Sequence, residues 1–250
     1  MSESRTDHPL LEARALTRRF QGLLALDSIS FHLWSGEILG LIGPNGAGKT
    51  TLIGLISGTL PPTSGELYFE GKRVDRLASF RRARLGIART FQVMKPFRGL
   101  SVLENVTVGA LFGHEGGMHN RLQAQEHAGT LLDFVGLGHR ADQRADSLGG
   151  PDLKRLELAK ALAMRPKLLL LDEVMAGLNP TEVDTVVALI RKIRDRGITI
   201  LVIEHVIKAI RSLSDRVFVL HHGQKISEGT PDEVFQDPRV VEAYLGKRRR

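Results

Sequence analysis

Gly43-Pro44-Asn45-Gly46-Ala47-Gly48-Lys49-Thr50-Thr51 matches the phosphate-binding pattern G-x-x-x-x-G-K-[ST]. The apolar run Ile38-Leu39-Gly40-Leu41-Ile42 before it reads as a buried strand, and Thr50 to Ile56 after it reads as a helix. Strand, glycine turn and helix are the context the pattern needs. Gly43, Gly46 and Gly48 let the backbone close around an anion, so that loop N–H groups and the helix N-terminus point at phosphate oxygens. Lys49 adds a point charge and Thr50 a hydroxyl for Mg²⁺. Nucleoside-triphosphate binding is the reading that follows; a glycine-rich turn with an incidental lysine would not explain the flanking elements.

Composition agrees. The chain has 250 residues, 42% of them hydrophobic, enough for one large domain or two packed lobes. No stretch approaches the roughly 18 to 20 apolar residues of a membrane-spanning helix. Met1 to Arg19 carries charge throughout, unlike a secretory signal. A cytoplasmic protein is expected. The absence of cysteine excludes disulfides, iron–sulfur clusters, thiolate zinc and cysteine nucleophiles.

Thirty-five basic and 28 acidic residues give a net charge of +7. Such an excess suits nucleic acid or the anionic face of a membrane, yet the only purely basic run is Lys247-Arg248-Arg249-Arg250, which reads as a solvated end. The nine histidines are scattered; His221-His222 read as part of a hairpin turn ending at Gly223.

Residues 11 to 71 alternate short apolar runs with turns such as Trp34-Ser35-Gly36-Glu37 and Pro61-Pro62-Thr63-Ser64-Gly65, as hairpins flanking the phosphate loop would. From Val93 to about Ala163 the pattern is helical: Leu131, Leu132 and Val135 share one face, and Leu156, Ala159 and Ala163 another. Leu168 to Leu171 and Ile198 to Ile203 are apolar runs separated by the helical pattern Glu182 to Arg196, a βαβ unit of a buried parallel sheet. The first run ends in Asp172-Glu173. A carboxylate at that strand end lies beside the phosphate loop, where Asp172 can hold Mg²⁺ through water and Glu173 can accept a proton from an attacking water.

The order of these segments resembles ATPase subunits of ABC transporters. It is carried by the phosphate loop Gly43 to Thr51 (Walker A), Gln92 in Arg89-Thr90-Phe91-Gln92, the helix opening near Leu148-Gly149-Gly150, Asp172-Glu173 ending Walker B, Gly177-Leu178-Asn179-Pro180, and Ile203-Glu204-His205. The stretches GIARTFQ, LSVLENVTVGAL, LLLLDEVMAGLNPTE and GTPDEVFQDPRVVEAYLG are most similar to importers of branched-chain amino acids and related small solutes.

The resemblance implies an α/β fold: an ABC-type nucleotide-binding domain with a RecA-like parallel sheet core, an N-terminal antiparallel β subdomain and an inserted helical subdomain. Residues 1–92 and 164–250 would form the ATP-binding core and 93–163 the helical signature subdomain. ATP and Mg²⁺ are the implied cofactors. Phe20 would stack on adenine; Gly43, Pro44, Asn45, Gly46, Ala47, Gly48, Lys49, Thr50 and Thr51 would hold phosphates; Thr50, Gln92 and Asp172 would serve the metal. Glu173, His205 and Lys49 would be catalytic. Leu148, Gly149 and Gly150 would complete the site of a second ATPase subunit, two ATP molecules being sandwiched between two such domains. Asn179 stands where many relatives have an Asp that touches the opposite subunit, and Val174 where many have Pro. Transmembrane permease subunits are implied partners, a solute-binding protein indirectly, with the chain peripheral on the cytoplasmic face of the cell membrane and no nucleic acid expected.

The signature departs from the family's LSGGQ. Counted back from Arg155-Leu156-Glu157, it falls on Leu148-Gly149-Gly150-Pro151-Asp152, so a proline replaces a glycine and removes an N–H. A one-residue shift would instead pair Gly149-Gly150 with the two family glycines; both registers stay open. Because this segment would serve the partner's site, a heterodimer could keep one good site where a homodimer would weaken both. Two other readings are a soluble ABC-type ATPase acting on nucleic acid or ribosomes, suggested by the net charge alone, and a low-turnover regulatory ATP-binding subunit, which intact Asp172, Glu173 and His205 argue against.

Overall fold

A computed structural model describes residues 8–91 and 96–245; Gln92 and the terminal run Lys247 to Arg250 lie outside the described residues. The chain opens with the hairpin β1 (Leu11–Phe20) and β2 (Leu23–Leu33), where Leu11, Ala13 and Leu16 turn inward. β3 (Ile38–Ile42) follows, buried along its whole length, and the phosphate loop leads into α1 (Lys49–Ser57). β4 (Ser64–Phe69) and β5 (Lys72–Arg73) then return to β1, giving an antiparallel sheet of order β2-β1-β4-β5. The hairpins expected to flank the phosphate loop are β1–β2 before it and β4–β5 after it, and the two join in one sheet. β1 pairs with β4 across the intervening β3–α1 unit, because a strand apolar on both faces is satisfied only inside a sheet covered on both sides.

α2 (Ser79–Leu85) and the short strand β6 (Ile87–Arg89) come next; the sequence reading did not separate them. Three helices make the lobe expected there: α3 (Val102–Leu111), α4 (Arg121–Phe134) and α5 (Gly150–Ala163). Ser101 and Glu104 close a reciprocal capping box on α3, and the Asn120 side chain accepts from the N–H groups of Leu122 and Gln123 at the start of α4. Leu131, Leu132, Val135, Leu156, Ala159 and Ala163 are all buried, as their spacing required.

The rest of the chain is β7 (Leu168–Asp172), α6 (Pro180–Arg194), β8 (Thr199–Ile203), α7 (Ile207–Leu213), the hairpin β9 (Arg216–His221) and β10 (Gln224–Gly229), α8 (Pro231–Gln236) and α9 (Pro238–Leu245). The second sheet runs β10-β9-β3-β8-β7-β6, parallel except for β10. Strand alternation splits its side chains between two layers. Leu169, Leu171, Ile200 and Val202 pack with Val106, Leu132 and Leu156 of the helical lobe, whereas Leu168, Leu170, Leu201 and Ile203 pack with Ile53 and Ile56 of α1 and Phe69 of the antiparallel sheet. The helical lobe therefore shares its core with one face of the sheet. Because β3, β8 and β7 are parallel neighbours, the segments that follow them, the phosphate loop, Glu204-His205 and the end of Walker B, emerge along one sheet edge, where open α/β sheets bind ligands.

Candidate nucleotide site

The cleft at that edge has a volume of about 960 Å³ and is lined by Phe20, Leu23, Leu24, Ala25, Asn45 to Thr51, Glu173, His205, His222 and Gly223. Its floor is the phosphate loop. Gly43 is the tightest position in it, since a Cβ there would stand 2.2 Å from the Leu220 carbonyl oxygen of β9. Gly48, at φ 107°, is the N-cap of α1, so the unpaired N–H groups of the first helical turn open into the cleft. Lys49 folds over the loop, its Nζ donating to the carbonyls of Gly43 at 2.7 Å and Pro44 at 3.0 Å. Two of the three ammonium donors are thereby fixed, and the third is available to an anion on the loop. Burial lowers the lysine pKa, with Glu173 and Asp172 opposing the shift.

Glu173 takes a left-handed backbone conformation, φ 53°, which bends the chain away from β7 while its N–H stays bonded to Ile203 O at 3.0 Å. The bend swings its carboxylate to His205, Oε1 to Nε2 2.7 Å. Glu173 and His205, 32 residues apart in sequence, thus form one hydrogen-bonded pair on the cleft wall facing the loop. Asp172 stands behind them, 2% exposed. Arg89, at the end of β6, donates to its Oδ2 at 2.9 Å, a pairing that sequence did not anticipate. Burial pushes the Asp172 carboxyl up, and Arg89 pulls it back.

Among the described residues no three His, Cys, Asp or Glu side chains cluster as a metal cage. The Thr50 hydroxyl and the Asp172 carboxyl, with the Glu173 carboxylate on the facing wall, are a sparse hard oxygen set near Lys49 that fits Mg²⁺ brought in with phosphate and water ligands. Phe20 lies at the cleft mouth, its ring covered on one face by the Arg18 guanidinium at 4.4 Å, so a base stacking on it would use the other face.

Leu148, Gly149 and Gly150 are not part of this cleft. Leu148 is buried in the helical lobe, while Gly149, the N-cap of α5, and Gly150, its first residue, have open space where a side chain would be. Pro151 falls in the first turn, where it breaks no intrahelical bond. Sequence reasoning missed His222 as a cleft residue while placing it in the right turn; that turn is stitched to the phosphate loop by Gly223 N donating to Ala47 O at 3.0 Å. Asn179 has a local task. Its Oδ1 accepts from Glu182 N at 3.0 Å and its own N–H donates to Glu182 Oε2 at 2.9 Å, a capping box on α6. Asn179→Ala is expected to cost about 1 kcal/mol, a fall of roughly 2–4 °C in Tm for a chain of this size, while Asn179→Ser keeps most of it; thermal melts of the three proteins check this.

A phosphate loop, a Walker B strand end and a switch-type histidine on one sheet edge, with a helical lobe inserted between, define an ATP-binding cassette. The ABC transporter family model matches residues 26–176, and the chain belongs to that family. Residues 224–249 match a second model, branched-chain amino acid ATP-binding cassette transporter. Among curated relatives, the high-affinity branched-chain amino acid transport ATP-binding protein BraF of Pseudomonas aeruginosa is 36% identical over 96% of this chain and 98% of its own length. LivG of Escherichia coli K12, of the same description, is 37% identical with the same coverage. A nucleotide-free ATP-binding cassette from an ABC transporter superposes with a TM-score of 0.86 at 32% identity, covering 96% of this chain and all of that one. The ADP conformation of an ABC transporter cassette gives 0.85 at 32% identity over the same shares. A dimeric post-hydrolysis cassette bound to ADP and Pi gives 0.80 at 25% identity over 88% of this chain and 98% of that one. This chain is an ATP-hydrolysing subunit of an ABC transporter. No helix among the described residues is long and apolar enough to cross a membrane.

Proposed function

We propose that the chain energises import of branched-chain amino acids or related amino acids and amides, working at the cytoplasmic face of the cell membrane beneath its permeases, with a solute-binding protein supplying the solute from the other side. The observation that carries the ATPase half of this reading is the Glu173–His205 pair, 2.7 Å apart, facing the Lys49 loop. The solute class rests on the relatives and on the family match at residues 224–249.

In this reading the loop from Gly43 to Thr51 binds the phosphates, Lys49 placing its remaining donor on them, and the outer face of Phe20 takes adenine. Thr50 and Asp172 would hold Mg²⁺, with Gln92 as the further ligand the resemblance implies; when bound, the ion would supply charge neutralisation on the phosphates. Glu173 removes a proton from the attacking water, and His205 orients that water and holds the carboxylate in place. Leu148, Gly149 and Gly150, on the helical subdomain of residues 93–163, meet the nucleotide of a second ATPase subunit. Pro151 offers that nucleotide no N–H, which favours a heteromer with unequal sites over a homodimer. The permease docks in a groove of about 340 Å³ lined by Phe91, Phe97, Phe112 and Met164 and floored by Arg89, and Phe112, 68% exposed, is the apolar surface it covers. That groove is joined to the ATP site through the Arg89–Asp172 pair.

The test is reconstitution in vesicles with permeases, solute-binding protein and a second ATPase subunit. Leucine, isoleucine or valine uptake that needs ATP is the expected result, with Phe112→Asp losing uptake while the isolated chain keeps its nucleotide affinity. Uptake of none of these with hydrolysis intact overturns the solute class, and uptake unaffected by Phe112→Asp overturns the docking site.

A further inference from the structure

The turn that carries Glu173 is held at three points. Glu173 N–H donates to Ile203 O at 3.0 Å, Met175 N–H donates to Glu204 Oε1 at 2.7 Å, and the Ala176 carbonyl accepts from Lys154 Nζ. The first two anchors come from the end of β8 and its continuation. The third comes from α5, the helix that opens at Gly149-Gly150. Neither Glu204 nor Lys154 lines the nucleotide cleft, and Glu204 is 2% exposed.

A buried carboxyl and a half-buried ammonium are costly to keep unless their bonds do something. Burial pushes Glu204 up to about 7, with the Met175 N–H and Lys154 opposing it. Burial also lowers Lys154, while Glu204, Glu182 and Glu173 raise it. Lys154 thus sits among the carboxylates of three segments, the Glu173 turn, the residue after β8 and α6. Its hydrogen bond to the Ala176 carbonyl spans from α5 to the turn behind Glu173.

We propose that Lys154 and Glu204 are positioning residues that tie this chain's own signature helix to the turn bearing its own Glu173, so that a rotation of the helical lobe moves the base relative to the phosphate loop. The proposal rests on Glu173 being the base. It deepens that reading in one respect: the signature helix, expected to serve the partner's nucleotide at its tip, also sets the hydrolytic geometry of its own subunit from its flank. Lys154 supplies the tie and Glu204 the seat, since the carboxylate holds Met175 N–H from within the protein while the lysine pulls Ala176 from the lobe.

The test compares wild type with Lys154→Met, Lys154→Arg, Glu204→Gln and the Lys154→Met/Glu204→Gln double variant. In the nucleotide-free chain, amide exchange over residues 173–178 is expected to quicken about tenfold in Lys154→Met, with residues 150–163 unchanged as the folding control. In the assembled ATPase, kcat is expected to fall about tenfold or more, as sub-ångström misplacement of a reacting group does, with nucleotide Kd unchanged, and Lys154→Arg to restore most of it. Glu204→Gln keeps an acceptor for Met175 and loses less, and the double variant falls no further than Lys154→Met, as members of one link do. Unchanged exchange and kcat, a parallel loss of nucleotide affinity, or losses that add in the double variant overturn the proposal. Glu173→Gln as control separates the two ideas: if it hydrolyses normally the base assignment fails, whatever the exchange arm shows, and if it does not while Lys154→Met is silent, only the tie fails.

Discussion

Glu173→Gln is expected to lower ATP turnover by about 10²–10³-fold, the range lost with a positioned general base, while nucleotide affinity stays within about twofold. The substitution is close to isosteric. It keeps an acceptor for His205, whose Nε2 lies 2.7 Å from the carboxylate, and leaves Lys49 on its two loop carbonyls. What it removes is the only property a proton acceptor needs, basicity. The left-handed backbone at this residue, φ 53°, is a conformation that costs free energy for a non-glycine side chain, and here it turns the carboxylate out of the β7 direction toward the histidine. Steady-state hydrolysis measured beside binding of a fluorescent nucleotide checks the prediction. A drop in affinity that matches the drop in rate would instead make Glu173 a ligand of the nucleotide. His205→Ala gives a second reading of the same pair: a rate loss smaller than that of Glu173→Gln is expected, because in the proposed mechanism the histidine holds the carboxylate and the water and Glu173 takes the proton.

The phosphate loop and the Walker B strand were legible because their chemistry is local. Gly43 and Gly48 are forced by a carbonyl 2.2 Å from a Cβ in one case and a left-handed N-cap in the other, and four consecutive leucines leave little but a doubly covered strand. The Asn179 cap was equally local, an Asn followed three residues later by Glu, but the family comparison drew the eye to a cross-subunit role instead. The pairing of Arg89 with Asp172 was not legible. It spans 83 residues and depends on the register that sets Arg89 opposite Leu170, next to the end of β7, which no spacing rule encodes. His222 entered the cleft for the same reason, through its neighbour's bond to Ala47 O. Glu204 stands out in the sequence only as the residue before His205, whereas its carboxylate accepts from Met175 N–H at 2.7 Å. The proline of the signature segment fits its helix because it stands in the first turn of α5. In the proposed reading a second subunit completes that segment's chemistry, which one chain's sequence and fold would then not contain.

Arg82→Met is expected to destabilise the chain by about 3–5 kcal/mol, as leaving several buried carbonyls without a donor does. Arg82 is 1% exposed, and among the described residues no acidic side chain is bonded to it; its guanidinium is spent on carbonyls. It donates to Leu55 O, to Ile56 O at 2.9 Å, to Leu77 O at 3.0 Å and to Asp75 O at 2.9 Å. Leu55 and Ile56 lie in the last turn of α1, where carbonyls have no partner within the helix. The positive charge also sits at the negative end of that helix dipole. Burial lowers the guanidinium pKa to about 10, so it remains charged at neutral pH. Methionine fills much of the volume but donates nothing, and each buried acceptor left unmade costs about 1–3 kcal/mol before relaxation and entering water reduce the total. For a chain of this length the expected fall in Tm is roughly 6–20 °C, read by thermal melting, with Arg82→Lys intermediate because one ammonium cannot reach four carbonyls. A shift below about 2 °C would mean the carbonyls find other partners. The consequence reaches the active site: α1 begins at the phosphate loop, so Arg82 fastens the far end of the helix whose near end receives the nucleotide. Saturating ATP is therefore expected to recover part of the lost Tm by binding only the folded chain.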